Sequence, residues 1–416
     1  MDTHLVVLTL AVIGGGYMAW NIGANDVANA MGTSVGSKAL TLVGAVIVAA
    51  IFEFSGAFFV GGGVTKTISK GIISLDMVVG REMEFAIGMV AALFAAAIWL
   101  NIASRLGWPV STTHSIVGAV LGFGIVMGGI MAVSWDAVGK IVLSWVVSPL
   151  SGAIIAVIVY SLVVLPIYRS KYPATHLRRI VPPATGMVFF MLALSMLYKG
   201  LKNLNLDLPV GQALLMATVV AVIAGGVAHM LLRRRDLDDS QSLSKRIRQT
   251  EPIFAVLQVI TACYMAFAHG ANDVANAIGP LAAVVSVVQT NVIAKESIVP
   301  LWVLALGGIG IVIGLATYGH RVMATIGRKI TTITPSRGFS AEFGAATTVL
   351  VCSKLGLPVS TTHTLVGAVI GVGMARGIRG IDLRVIRDIG VSWVVTIPFT
   401  AFITILLFLL MRWLML

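Results

Sequence analysis

The sequence predicts an all-α polytopic membrane protein of about twelve transmembrane segments. They form two inverted-topology repeats, with discontinuous or re-entrant helices at the repeated motifs. Three observations predict this. The 416 residues are 58% hydrophobic and only 11% charged, where soluble domains usually carry about 25% charged residues. Apolar runs near the ~20 residues that span a bilayer recur along the whole chain. The octamer Gly-Ala-Asn-Asp-Val-Ala-Asn-Ala occurs twice, at 23–30 and 270–277.

In chain order the apolar runs give segments at 5–30, 39–62, 84–104, 109–133, 138–167, 180–198, 209–232, 252–278, 299–318, 338–353, 358–375 and 385–414. The first follows Met-Asp-Thr-His, which has no basic region and no small-residue cleavage site, so it is expected to be a mature helix and not a signal peptide. The 44 glycines suit helices that pack closely or break. The one long polar stretch is 233–251, so the expected organisation is a first membrane repeat at 1–168, two linking helices and a loop at 169–251, and a second repeat at 252–416.

A net charge of +12 and a pI near 10 would suit nucleic acid, but the positive residues fall in short loops between apolar runs. No nucleic-acid partner is expected. Four Lys or Arg occur in 169–179, six in 233–248, four in 321–337 and four in 376–387. If each segment crosses once from an external N-terminus, all four clusters, with Lys38 and Arg105, face the cytoplasm and both termini lie outside. Cys263 and Cys352 lie in separate apolar stretches without metal-ligand spacing and are expected to be packing residues.

Each octamer puts an Asp between two Asn residues in an apolar run. An ionisable group at membrane depth costs ~2.5–3.5 kcal/mol on insertion scales and marks a functional site by default. The alternative is a capped helix end, since Asn and Asp are also good caps, and the exact duplication argues against it. The Gly before each Asn-Asp pair is expected to let the backbone open and free carbonyls for a cation. The repeat extends further. Pro109-Val110-Ser111-Thr112-Thr113-His114 recurs as Pro358-Val359-Ser360-Thr361-Thr362-His363, and Ser144-Trp145-Val146-Val147 recurs as Ser392-Trp393-Val394-Val395. The three offsets are 247, 249 and 248 residues. Seven crossings separate the octamers, so the two copies enter from opposite sides, as in many secondary transporters. In the hydroxyl motif, Pro presets a helix start, and free N–H groups, hydroxyls and the positive dipole end together make an anion site. The competing reading is an N-cap with hydroxyls bonded inside the helix.

These paired motifs resemble those of the inorganic phosphate transporter (PiT) family of cation-coupled phosphate symporters, over 20–124 and 267–373. The resemblance implies import of inorganic phosphate across the cell membrane, driven by a Na⁺ gradient, with an inverted-repeat core and a homodimer. Carried over by position, Asn25, Asp26, Asn272 and Asp273 match the ion-site motif, with Asn29 and Asn276 as the remaining octamer amides. Ser111, Thr112, Thr113, Ser360, Thr361 and Thr362 match the phosphate-site motif. A proton-coupled phosphate permease or a sulfate permease on the same scaffold is the alternative.

Glu53 and Glu342 lie inside apolar segments and are not duplicated; each either holds a further cation or pairs within the bundle. Arg105 and Lys354, six residues before each Ser-Thr-Thr, suit orientation or snorkelling better than an anion lure. His114 and His363 suit structural hydrogen bonds better than proton shuttling. His269 replaces Ile22 of the first copy, so the motif does not require it. An intramembrane enzyme with an Asp26–Asp273 dyad is the competing class, but a dyad leaves both hydroxyl clusters without a role. The chain is expected not to be an enzyme, and no nucleotide-binding pattern supports a pump.

The topology has a direct check. In a variant with Cys263 and Cys352 replaced, a Ser240→Cys probe should resist an impermeant thiol reagent added outside intact cells. Labelling from outside would overturn the orientation.

Overall fold

Each of the twelve predicted segments contains a helix in the computed structural model, with boundaries shifted by up to seven residues and, in the segment at 252–278, a helix that runs on to Thr290. Residues 3–74, 78–106, 108, 110–198, 208–237, 239–240, 242–293, 299–319, 333–375 and 383–416 are described, and at some helical positions, Asn29, Ser392 and Trp393 among them, the backbone alone. Pro109 and parts of the basic clusters at 321–337 and 376–387 lie outside the described residues.

The first segment is α1 (Thr3–Asn25) and α2 (Val27–Gly36), separated by a turn at Asp26. α3 (Leu42–Val60) starts at Thr41, whose hydroxyl accepts from the Gly44 amide at 3.1 Å. The short α4 (Gly62–Lys66) runs into a π-helical turn at Thr67–Gly71. α5 (Glu82–Leu106) and α6 (Thr112–Gly128) are parted by extended backbone at Ser111. α7 (Trp135–Val159) passes through a π-helical turn into α8 (Leu165–Arg169). α9 (Pro173–Leu197) and α10 (Val210–Arg233) are the linking pair, and α11 (Leu243–Arg248) lies in the polar loop. The second half holds α12 (Glu251–Thr290), α13 (Leu301–Gly314), α14 (Pro335–Lys354), α15 (Thr361–Met374) and α16 (Leu383–Met415).

Among the described residues nine helical stretches are long and apolar enough to cross a membrane, and α6 and α15 are shorter apolar helices. The chain is a multi-pass, all-helical membrane protein. Discontinuity falls where the hydroxyl motifs predict it, between α5 and α6 and between α14 and α15.

At the octamers the expectation needs correction. The first copy is interrupted only by the turn at Asp26, whose amide still donates to Ile22 O at 2.9 Å. The second lies wholly inside the unbroken 40-residue α12, about 60 Å long at 1.5 Å per residue. The octamer glycines do not open the backbone here; they let helices touch. A Cβ on Gly23 would stand 1.9 Å from Ile311 O of α13, and one on Gly270 would stand 2.2 Å from Glu53 O of α3. Small residues at such crossings are how membrane helices gain packing without a hydrophobic driving force.

The two halves interlock by exchange. α1 packs on α13 and α5, while α12 packs on α3 and α14; α7 lies on α14 and α15, while α16 lies on α5 and α6. Gly118 of α6 meets α16, and Gly367 of α15 meets α7, each too closely for a Cβ. The hydroxyl motifs therefore start helices that are held, in each case, by the other half.

Candidate functional site

The starts of α6 and α15 meet face to face. Ser111 caps α6 by accepting from the His114 amide at 3.2 Å, and Ser360 caps α15 by accepting from the His363 amide at 3.2 Å. Thr113 Oγ1 donates to Val359 O at 3.0 Å across the junction, and the His114 and His363 rings stand edge to face, centroids 4.4 Å apart. Each helix start leaves its first N–H groups without intrahelical acceptors, so two positive dipole ends share one buried place.

The octamer carboxylates sit at this junction. Thr112 Oγ1 donates to Asp26 Oδ2 at 2.6 Å, and Thr361 Oγ1 donates to Asp273 Oδ2 at 2.7 Å. Thr362 Oγ1 reaches across the halves to Asp26 Oδ1 at 3.3 Å. Asn276 of α12 crosses the other way, donating to Thr112 and Thr113 Oγ1 at 3.2 Å each. Asn25 donates to Ser104 Oγ at 2.7 Å. In the amide orientation that satisfies both of its ends, Asn272 accepts from Ser353 Oγ at 2.8 Å and donates to Val359 O and Asp273 Oδ1. All these side chains are buried, and among the described residues no Lys or Arg is.

One side chain breaks the symmetry. His269 Nδ1 lies 2.7 Å from Glu53 Oε2, and Nε2 lies 2.8 Å from Asp273 Oδ2. Asp26, His269 and Asp273 each offer one ligand atom within 4.8 Å of the others. Carboxylate, hydroxyl and amide oxygens dominate the cluster, the donor set that hard cations take.

The family model described as "Phosphate transporter family" matches residues 22–404. The chain belongs to the phosphate transporter family. It is 45% identical to "Inorganic phosphate transporter 2-1, chloroplastic" of Arabidopsis thaliana over 415 residues, covering 94% of this chain and 70% of that one. A solved structure described as "The sodium-dependent phosphate transporter" superposes with a TM-score of 0.92 at 41% identity, covering 98% of this chain and 99% of its own. This is a family of transporters and not of enzymes.

In this phosphate transporter family member the structure brings Asp26, Asp273, Thr112, Thr113, Thr361, Thr362 and Asn276 together. Asn25 and Asn272 are tied to serines on α5 and α14. Ser111 and Ser360 use their lone pairs as caps and keep a hydroxyl proton to donate. The Asn29 side chain lies outside the described residues. Glu342 lies in a separate polar nest: Oε1 accepts from Thr33 at 2.5 Å, Ser34 at 2.7 Å and Gln258 at 3.1 Å, and Oε2 from Thr261 at 2.8 Å. Lys354 donates to Tyr198 O at 2.8 Å, a tie to the end of α9.

Two features escaped the sequence reading. Ser104 and Ser353 hold the octamer amides, and their shared 249-residue offset was a usable signal. The motif does not require His269, since the first octamer lacks it, yet it stands between Glu53 and Asp273. That coupling is measurable as a double-mutant cycle in detergent. Glu53→Gln and His269→Gln should each destabilise the fold, and the double variant should fall short of their sum by about 0.5–3 kcal/mol. Simple additivity would mean that the two side chains do not act together.

Proposed function

We propose that this chain is a secondary active symporter that imports inorganic phosphate across the cytoplasmic membrane, driven by a Na⁺ gradient. One observation carries the reading: two buried carboxylates and two hydroxyl-bearing helix starts converge at one place where, among the described side chains, no buried Lys or Arg neutralises them.

Phosphate near neutral pH brings roughly one to two negative charges, and Asp26 and Asp273 bring two more. Two helix starts supply only about half a positive charge each. Negative charge cannot gather in a buried cavity without compensation. The hydroxyls of Ser111, Thr112, Thr113, Ser360, Thr361 and Thr362 and the first amides of α6 and α15 then hold the anion. Na⁺ is held by Asp26, Asp273, Asn25 and Asn272, with Asn29 and Asn276 beside them. Glu53 acts through His269, and the oxygen-rich nest around Glu342 offers a further cation position. Coupling follows, because anion and cation each lower the cost of the other. The duplicated motifs support an inverted-topology repeat with loop 233–251 in the cytoplasm and both termini outside. A homodimer belongs to the same reading.

Proton coupling is the second reading, and His269 favours it: an imidazole between two carboxylates can deliver the compensating charge as a proton.

Uptake of labelled phosphate into proteoliposomes separates the two. At fixed pH, apparent phosphate affinity should rise steeply with Na⁺. Asp273→Asn should flatten that dependence, and Thr112→Val or Thr361→Val should weaken phosphate binding by about 1–3 kcal/mol. Uptake that follows a pH gradient and ignores Na⁺ would overturn sodium coupling and leave the proton reading.

A further inference from the structure

The linking helices α9 and α10 pack on each other and leave much of α10 exposed and apolar. Where the loop after α10 returns to α12, the three helices enclose a cavity of about 880 Å³, within the 300–1,000 Å³ range of small-ligand pockets. Val181 and Phe189 of α9, Ile223 and Leu231 of α10, and Val256 and Ile260 of α12 line it. Its charged end is formed by Arg234, Arg235 and Asp236, just past the last turn of α10. Arg178 of α9 adjoins that end: its Nη2 donates to Arg235 O at 3.0 Å, while its Nε is buried and meets no acceptor among the described residues.

We propose that this cavity binds one anionic glycerophospholipid, an acyl chain lying between the three helices and the phosphate held by Arg234, Arg235 and Arg178. α10 has 24 residues and is about 36 Å long at 1.5 Å per residue. If its apolar length crosses the ~30 Å hydrocarbon layer, the arginines after it sit at headgroup depth. Three guanidinium groups gather at this end, and Asp236 lines it. The Asp239 carboxylate is taken up by the Ala174 and Thr175 amides at the start of α9, and no ion pair engages any of the three arginines among the described residues. A buried guanidinium N–H without an acceptor is costly, and a phosphate oxygen supplies the planar, charge-assisted partner that Arg favours. Basic pockets at helix ends are a recurrent way to hold anionic lipid headgroups.

The same helix pair provides its own contrast. On its other side lies a second groove of about 500 Å³, lined by residues that include Pro182, Pro183, Met187 and Phe190 and by no charged side chain. That groove accepts any acyl chain; only the first selects a headgroup. Its lipid would also bind the linking pair to α12, the helix that carries His269 and Asp273.

Native mass spectrometry of the full chain, titrated with palmitoyl-oleoyl phosphatidylglycerol or the matching phosphatidylcholine, tests this without reference to transport. One phosphatidylglycerol should be retained per chain in preference to phosphatidylcholine. The double variant Arg234→Gln, Arg235→Gln should bind it about 25-fold more weakly, about fivefold per arginine. Ala224→Trp, which fills the cavity and leaves the charges in place, should also abolish retention. Equal retention of both lipids, or no loss in either variant, would overturn the proposal. So would efficient Ile223→Cys cross-linking between two copies that retain no lipid, because the face would then belong to a second chain.

Discussion

Two carboxylates, Asp26 and Asp273, are buried at the meeting point of two helix starts in an interior with no buried Lys or Arg among the described residues, and the rest of the site answers to that constraint. Threonines of both hydroxyl motifs donate to them, two of them within 2.7 Å. The hydroxyl protons and helix dipoles that hold these carboxylates are also what an incoming anion needs. If the site binds an anion as proposed, the same donors must serve its own acids and that anion, which leaves it short of positive charge that external cations would supply. His269, which has no counterpart in the first octamer, stands within 4.8 Å of both carboxylates, so the two halves are chemically unequal at the place where they are most alike in sequence.

The geometry rests on exchange between the halves. Neither octamer helix packs chiefly within its own repeat: α1 takes α13 and α12 takes α3. Those crossings require glycine at 23 and 270, where any Cβ would collide with a backbone carbonyl. The same small residues that let the helices touch therefore fix where the adjacent Asn-Asp pairs stand. Because α6 and α15 are each gripped by the opposite half through Gly118 and Gly367, a shift of one half against the other would move both helix starts relative to the carboxylates.

Much of this was legible in the sequence, for physical reasons. Bilayer-length apolar runs located every long helix, because lipid forces the backbone to satisfy itself. Pro-Val-Ser-Thr-Thr-His marked two helix starts, since only a capped N-terminus suits that order of residues, and both caps are present. The octamer carboxylates meet these starts in the fold. What failed were judgements about single residues. The glycine before each Asn-Asp pair was expected to open the helix; it serves a crossing, and α12 runs straight through. His269 was discounted for lacking a counterpart, although its partner Glu53 lacks one too, and two unduplicated polar residues in a duplicated core are a pair worth testing. The route from Ser104 to Asn25 depends on the packing of α5 against α1, which periodicity does not encode.

Equilibrium binding of radiolabelled Na⁺ to the purified protein at fixed pH, with and without phosphate, is the most direct test that anion and cation complete one site. Phosphate should raise Na⁺ affinity by the same factor by which Na⁺ raises phosphate affinity, since coupling between two ligands is reciprocal. Na⁺ binding that is identical in the presence and absence of phosphate would contradict a shared site.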